Sequence, residues 1–467
     1  MEATSTEAAC KTNAECASYH SGGLMRCLPS GSCVPLAGPE CSTPIGDTSR
    51  TDAIYIGLLA PLTGSAFAKP IGQAMTAAVE AAIRTYNQTV DGQPGSPRPL
   101  VAVICDETKD VVAATEHLVD TLKAKAIVGP FDEKKLDSIV SITNKANVVV
   151  MSPFADGPNF QAKYASSGLV WSCAANRSGA LVYLKNLLQF VVDTIRKSRD
   201  ASFDPVVALY TSDDGAASEM GAAALAKNLF PGPTTSVSYP YFLTAMNATD
   251  YATFANQAID KRANLIVNFG SGLGDFDKIV QKMEVAWRNN GTPSPYYVSY
   301  QRSSNLATAL VEDMEANPDG GSVRTSYERT LVFDQPQSDS VRSAHSVFAG
   351  KFEGLMFGTK PAEQISLAYD CTMVLAFGLQ AARKESSTLP ESVTGEQFRA
   401  GMARLLSGEP WGFGSIKPGT IFSALATSDA TVDIYGASGD LPFVVENGYP
   451  VTDGGLWCFK LDFAGYR

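Results

Sequence analysis

Four short apolar runs open the body of the chain: AIYIGLLA at 53–60, LVAVIC at 100–105, AIVGP at 126–130 and VVVMSP at 148–153. The segments between them have helical length and period. Ile71, Met75, Ala78 and Ala82 make one stripe, Val111, Thr115, Leu118, Val119 and Leu122 a second, and Leu136, Ile139, Val140 and Thr143 a third. Continuous apolar strands alternating with one-sided helices predict a parallel sheet covered on both faces. After a long predicted helix over 178–198, with Leu181, Leu184, Leu188, Val191, Val192 and Ile195 on one side, the alternation restarts. Strands are expected at 206–210, 236–242, 265–269 and 296–300, and helices near 216–229, 250–262 and 275–289. The expectation is an α/β chain of two doubly wound, Rossmann-like lobes. From 330 the pattern is more broken, with a strand at 330–333, a helix near 339–356 and a nearly all-apolar helix over 363–382. That helix is expected to be buried on several sides. The end, 407–467, is Gly-rich and aromatic, with short strands expected at 432–436 and 456–461.

Length supports the division, since 467 residues with 45% hydrophobic content exceed what one core usually holds. The 37 Lys+Arg against 48 Asp+Glu leave a net charge of −11, which argues against nucleic acid or an anionic membrane surface as a partner. No apolar run approaches the roughly 20 residues that span a bilayer, because even 178–198 carries Lys185 and Asp193. The chain is therefore not expected to be transmembrane itself. Its first residues lack the apolar core of a signal peptide, so a leader is either absent or removed ahead of this numbering.

Five of the nine cysteines, Cys10, Cys16, Cys27, Cys33 and Cys41, fall in the first 41 residues among few core-forming aliphatics. Such a segment needs disulfides to hold a shape, and these persist in oxidising compartments, so an exported protein is expected. Spacings of six, eleven, six and eight residues do not form the paired clamps of structural zinc sites. Because five is odd, either Cys41 bonds to Cys105, Cys173, Cys371 or Cys458, or one thiol stays free. The polar stretch 42–52 reads as a linker closing this tail.

Enzymatic signatures are scarce. The three histidines, His20, His117 and His345, stand in no metal or nucleophile motif, and no Walker loop is present. The glycines of FGSGLGD, Gly270, Gly272 and Gly274, lack the last glycine of the dinucleotide fingerprint, so no cofactor is expected. The better reading is a loop that brings Ser271 and Gly272 close to a small ligand at a strand's carboxyl end. The segment 129–156 runs strand end, helix, strand, strand end, which places 130–133 and 152–156 side by side at one sheet edge. Asp132 and Glu133 open the helix between, either as caps or as ligand contacts.

With these residues in view, IGLLAPLTGS at 56–65, IVGPF…VVVMSPFAD, VVALYTSDDG and YDCTMVLAFGLQAA at 369–382 resemble the leucine/isoleucine/valine-binding protein family, type I periplasmic solute receptors of ABC importers. The resemblance covers nearly all of 53–467. It implies two lobes joined by hinge strands, with 53–171 and 336–450 in the first, 172–335 and 451–467 in the second, and 1–52 as a Cys-rich tail. It also implies a small-molecule solute held between the lobes, no catalysis, and a membrane permease as partner. Candidate ligand contacts are Phe67, Phe131, Asp132, Glu133, Ser152, Phe154, Ala155, Asp156, Asp214, Ser271, Gly272, Tyr300 and Gln301.

The departures from the family bear on the solute. Glu133 stands where amino-acid-binding members have a small hydroxyl residue, and Asp156 where they have Thr or Ser. Gln301 matches the usual acidic partner of a ligand ammonium, and Gly215-Ala216 replace an expected aromatic. A carboxylate between Glu133 and Asp156 would meet like charge, so a polar or cationic solute is expected over a standard amino acid. Two alternatives stand beside this: an amino-acid-binding member despite these changes, and a ligand-sensing receptor ectodomain of the same fold. The expected location is periplasmic or extracellular, with a lipid anchor before leader removal left open.

Overall fold

The computed structural model describes residues 9–19, 23–64, 68–90, 97–213, 215–240, 247–270, 275–289, 293–300, 329–334, 341–361, 365–382, 393–413, 418–427, 430–451 and 455–458. The tail folds as a helix α1 (Asn13–Tyr19) against an antiparallel hairpin, β1 (Met25–Cys27) and β2 (Cys33–Pro35). Disulfides Cys10–Cys27 and Cys16–Cys33 supply the constraint that its small core cannot. They also consume the close set Cys10, Cys16 and Cys27, leaving no thiolate there for a metal.

The first sheet is wholly parallel. Its strands are β3 (Ile54–Ala60), β4 (Leu100–Asp106), β5 (Ala126–Val128), β6 (Val149–Ser152) and β7 (Val170–Ser172), in spatial order β4-β3-β5-β6-β7. Every residue of these strands is buried, as continuous Val/Ile/Leu runs require between two helical layers. The covering helices include α2 (Ala68–Asn87), α3 (Val111–Glu116), α4 (Glu133–Lys145) and the short α5 (Phe160–Tyr164). The expected apolar helix is found at Ser366–Ala381; all of it except Leu367 is buried, and it packs on α2, β5 and β6. A disulfide Cys173–Cys371 fastens it beside the end of β7. Helices Gly395–Ala403 and Pro418–Leu425 were not legible in the periodicity.

The second lobe follows α6 (Ser178–Ser198), the long helix its stripe predicts. Strands β8 (Val207–Ser212), β9 (Thr234–Tyr239), β10 (Leu265–Phe269), β11 (Tyr296–Tyr300) and β12 (Thr330–Asp334) are parallel in the order β9-β8-β10-β11-β12. The strand Gly455–Cys458 closes the sheet antiparallel to β12. Helices α7 (Gly215–Ala226), α8 (Ala248–Asp260) and α9 (Asp275–Asn289) connect them. Both sheets thus place their second strand on one side of the first and the third on the other. Such a reversal opens a crevice at the carboxyl ends, between β3 and β5 in one lobe and β8 and β10 in the other. Among the described residues the chain passes between the lobes three times: after β7, between β12 and the helix Ser366–Ala381 that packs on the first sheet, and before Gly455.

The segment expected as a linker begins as sheet. Ser42 N donates to Ile104 O at 2.7 Å, and Ile45 and Ala102 exchange hydrogen bonds at 2.8 and 3.0 Å along the outer edge of β4. Cys41 is bonded to Cys105 in that strand. Leu36 is fully buried in the first lobe, and the Arg26 guanidinium lies 4.2 Å from the Tyr55 ring centroid, where burial pushes its pKa down to about 10. The tail covers an edge strand that would otherwise offer unpaired N–H and C=O groups.

Candidate ligand-binding site

β5 leaves the first sheet through Gly129-Pro130, a cis peptide. Gly129 has φ +102°, and a Cβ there would sit 2.3 Å from Leu59 O, so only glycine fits. Asp132 then caps α4, its Oδ1 accepting from Lys134 N at 2.9 Å. Glu133, the first helical residue, turns to the loop after β6, and its Oε2 accepts from Gly157 N at 2.9 Å. A side chain at 157 would collide with that carboxyl, because its Cβ would lie 2.6 Å from Glu133 Oε1. The Phe131 and Phe154 rings meet at 4.6 Å between the same two loops. The ends of β5 and β6 therefore form one surface, built from 130–133 and 152–157.

Charge on this surface is more compensated than the sequence suggests. Asp156 is 2% exposed and pairs with Arg177 Nε at 2.7 Å, while the guanidinium lies 5.3 Å from the Tyr300 ring centroid. Arg177 stands in the first crossing between the lobes, so it joins an acid of one to an aromatic of the other. Glu133 is 6% exposed; burial first, and then the negative Asp156 and Glu219, push its carboxyl up to about 7. Its Oε1 accepts no hydrogen bond from the described residues. The expected pair of repelling carboxylates is corrected accordingly: one is neutralised by a buried cation and the other holds its proton to near neutral pH.

The lobes touch at their carboxyl edges. Lys134 Nζ donates to Asp213 O at the end of β8, and Lys163 of α5 pairs with Glu219 of α7 at 2.5 Å. Gly215, at the start of α7, faces Glu133 and Lys134 directly. Behind that contact, among the described residues, the buried polar groups at the ends of β10 and β11 are uncharged. Asn268 bridges Tyr239 OH at 3.0 Å and Ser299 Oγ at 3.1 Å, all of it buried.

Of the candidate contacts, Phe131, Asp132, Glu133, Phe154 and Asp156 converge, with Tyr300 joined to them through Arg177. Ser152 and Ala155 lie beneath, fully or nearly fully buried. Ser152 Oγ bonds Pro130 O at 3.1 Å and Ala155 N at 3.2 Å, so these two shape the loops. Phe67, Asp214, Ser271, Gly272 and Gln301 fall outside the described residues. Sequence reasoning missed Arg177, Lys134, Lys163 and Glu219; the one signal for Arg177 was a lone basic residue ahead of an apolar helix at the lobe crossing.

Residues 53–406, more than half of the chain, match the family model described as periplasmic binding protein. Solved structures share the fold. A leucine-binding protein of Thermotoga maritima is 14% identical, with TM-score 0.54 over 87% of this chain and 96% of its own. A solute-binding protein of an ABC transporter from Rhodopseudomonas palustris, in complex with p-hydroxybenzoic acid, is 13% identical, with TM-score 0.58 over 88% and 94%. A third, from Desulfitobacterium hafniense in complex with Leu, is 16% identical, with TM-score 0.52 over 87% and 98%. No curated protein sequence matches significantly. Two parallel lobes meeting at their carboxyl edges define a solute receptor of the type I periplasmic class. The chain belongs to the periplasmic binding protein family. No helix among the described residues is long and apolar enough to cross a membrane.

Proposed function

We propose that the protein captures a small polar solute between the two carboxyl edges, without turning it over, and delivers it to the membrane permease of an ABC importer. The observation that carries this reading is the pairing of two switch-point crevices that face each other across Lys134–Asp213 and Lys163–Glu219. In this reading 53–171 with 336–450 form one lobe and 172–335 with 451–467 the other. Four disulfides fit work outside the cytoplasm.

The favoured solute is a neutral or cationic hydrogen-bond donor such as a polyol, an amide or a polyamine. Asp132 and Glu133 offer acceptors on one side, and the uncharged Asn268–Ser299 edge lies on the other. Arg177 beside Tyr300 favours a second reading, a carboxylate-bearing solute like the Leu or p-hydroxybenzoic acid bound by the structural relatives. A thermal-shift panel of both classes decides between them. At about 100 times Kd a true ligand stabilises by roughly 2.7 kcal/mol, well above detection. Polyols, amides or polyamines should raise Tm while branched aliphatic amino acids leave it unchanged. Stabilisation by leucine, isoleucine or valine alone would reverse the choice, and no response to either class would count against solute capture.

A further inference from the structure

β4 lies outside β3 and does not border the crevice between β3 and β5, yet it ends on two adjacent buried acids that reach the loops on both sides of it. Asp106 holds the loop after β3: its Oδ1 accepts from Leu62 N at 3.1 Å and from Thr108 N at 3.0 Å, and its Oδ2 from Thr63 Oγ1 at 2.5 Å. Burial opposes its ionisation, but the hydrogen bonds from Thr108 and Thr63 outweigh this and keep the carboxyl below its usual range. Glu107 holds the loop after β5, its Oε2 accepting from Phe131 N at 2.8 Å and its Oε1 facing Lys135 Nζ at 3.3 Å. The tail grips the same point from the outer edge of the sheet. Asp106 N donates to Glu40 O at 2.7 Å, and the preceding residue carries the Cys41–Cys105 bond.

We propose that Asp106 and Glu107 are positioning residues of the solute site, one carboxylate for each loop, and that the Cys41–Cys105 bond holds the pair in place. This rests on the solute-binding reading for its purpose. A loop that has left its strand has amide groups without ladder partners, and a carboxyl oxygen fixed at the end of β4 supplies one to each loop, from an ionised group at Asp106 and, at Glu107, from a carboxyl that burial pushes up to about 7 against the opposing pull of Lys135. Glu107 thereby sets Phe131, whose ring packs on Phe154, and Asp106 sets Leu62 and Thr63 opposite. The tail becomes part of the binding machinery instead of a detachable tether.

Amide hydrogen exchange tests this without a solute, so its outcome is independent of whether the solute reading stands. Asp106→Ala should speed exchange at Leu62 about tenfold and spare Phe131, as expected for the loss of one charge-assisted hydrogen bond. Glu107→Ala should do the reverse. Asp106→Asn and Glu107→Gln, which keep an acceptor oxygen, should restore much of the protection. Cys41→Ser with Cys105→Ser should loosen both loops, whereas Cys10→Ser with Cys27→Ser, in the same tail, should loosen neither. Unchanged protection in the alanine variants would overturn the proposal. So would uniform acceleration across the first lobe, absence of rescue by the amides, or equal effects of the two cysteine pairs.

Discussion

The two sheets share the order of their five parallel strands and differ in the groups buried at their carboxyl ends. At the carboxyl ends of the first stand Asp106, Glu107, Asp132, Glu133 and Asp156, four of them buried; at those of the second, Ser212, Asn268 and Ser299 are buried and uncharged. Topology fixes where the crevices lie, and the side chains at the strand ends fix what each responds to. Charge buried at its carboxyl edge makes that edge of the first lobe sensitive to pH and to the loss of a partner. The second offers a hydrogen-bonding face that neither condition disturbs.

The largest expected effect breaks this contrast at its most charged point. Arg177→Ala leaves Asp156 buried without its cation and should cost about 3–5 kcal/mol in urea unfolding. The corresponding loss in the second lobe, Asn268→Ala, strands only neutral groups on Tyr239 and Ser299 and should cost about 1–3 kcal/mol. If Asn268→Ala proved the more damaging, the contrast between the edges would be wrong.

Next in size is a pH effect confined to the first lobe. Glu133 keeps its proton up to about 7 in the folded chain against an ordinary 4.5, so the folded state binds more protons between these values. Its contribution to stability therefore falls as pH rises through that window. Glu133→Gln removes the penalty. Relative to the natural protein, the variant should gain nothing near pH 4.5 and up to about 3 kcal/mol above pH 7. A gain independent of pH would show that Glu133 is not held protonated between the lobes.

The smallest effect concerns the contact between the lobes. Lys163 and Glu219 are 31% and 21% exposed, so solvent screens their attraction and Lys163→Ala should cost about 1 kcal/mol or less. In a double-mutant cycle, Glu219→Ala should then add little. Fully additive losses would mean that the pair does not act across the cleft.

Most of the fold was legible because its signal is repeated. The runs at 54–60 and 100–105 are apolar throughout and 265–269 is broken only by Asn268, as expected of strands buried on both faces, and the 178–198 stripe matches α6 residue for residue. Helix Gly395–Ala403 was missed because its mixed composition gives little period, although Thr394 and Gln397 form a capping box. The juxtaposition of 130–133 with 152–156 followed from parallel pairing of consecutive strands. The Arg177–Asp156 pair did not, since partners 21 residues apart across a lobe crossing leave no local pattern. The tail misled for a related reason: its polar residues read as a spacer, and nothing local shows that 42–45 would lie along β4.

Capture of a solute between the two carboxyl edges, as proposed, requires the lobes to close on it, and small-angle scattering tests this most directly. With a solute that raises Tm, the radius of gyration should fall and the profile should match the closed arrangement held by Lys134–Asp213 and Lys163–Glu219. A profile unchanged between the solute-free and saturated protein would contradict the account.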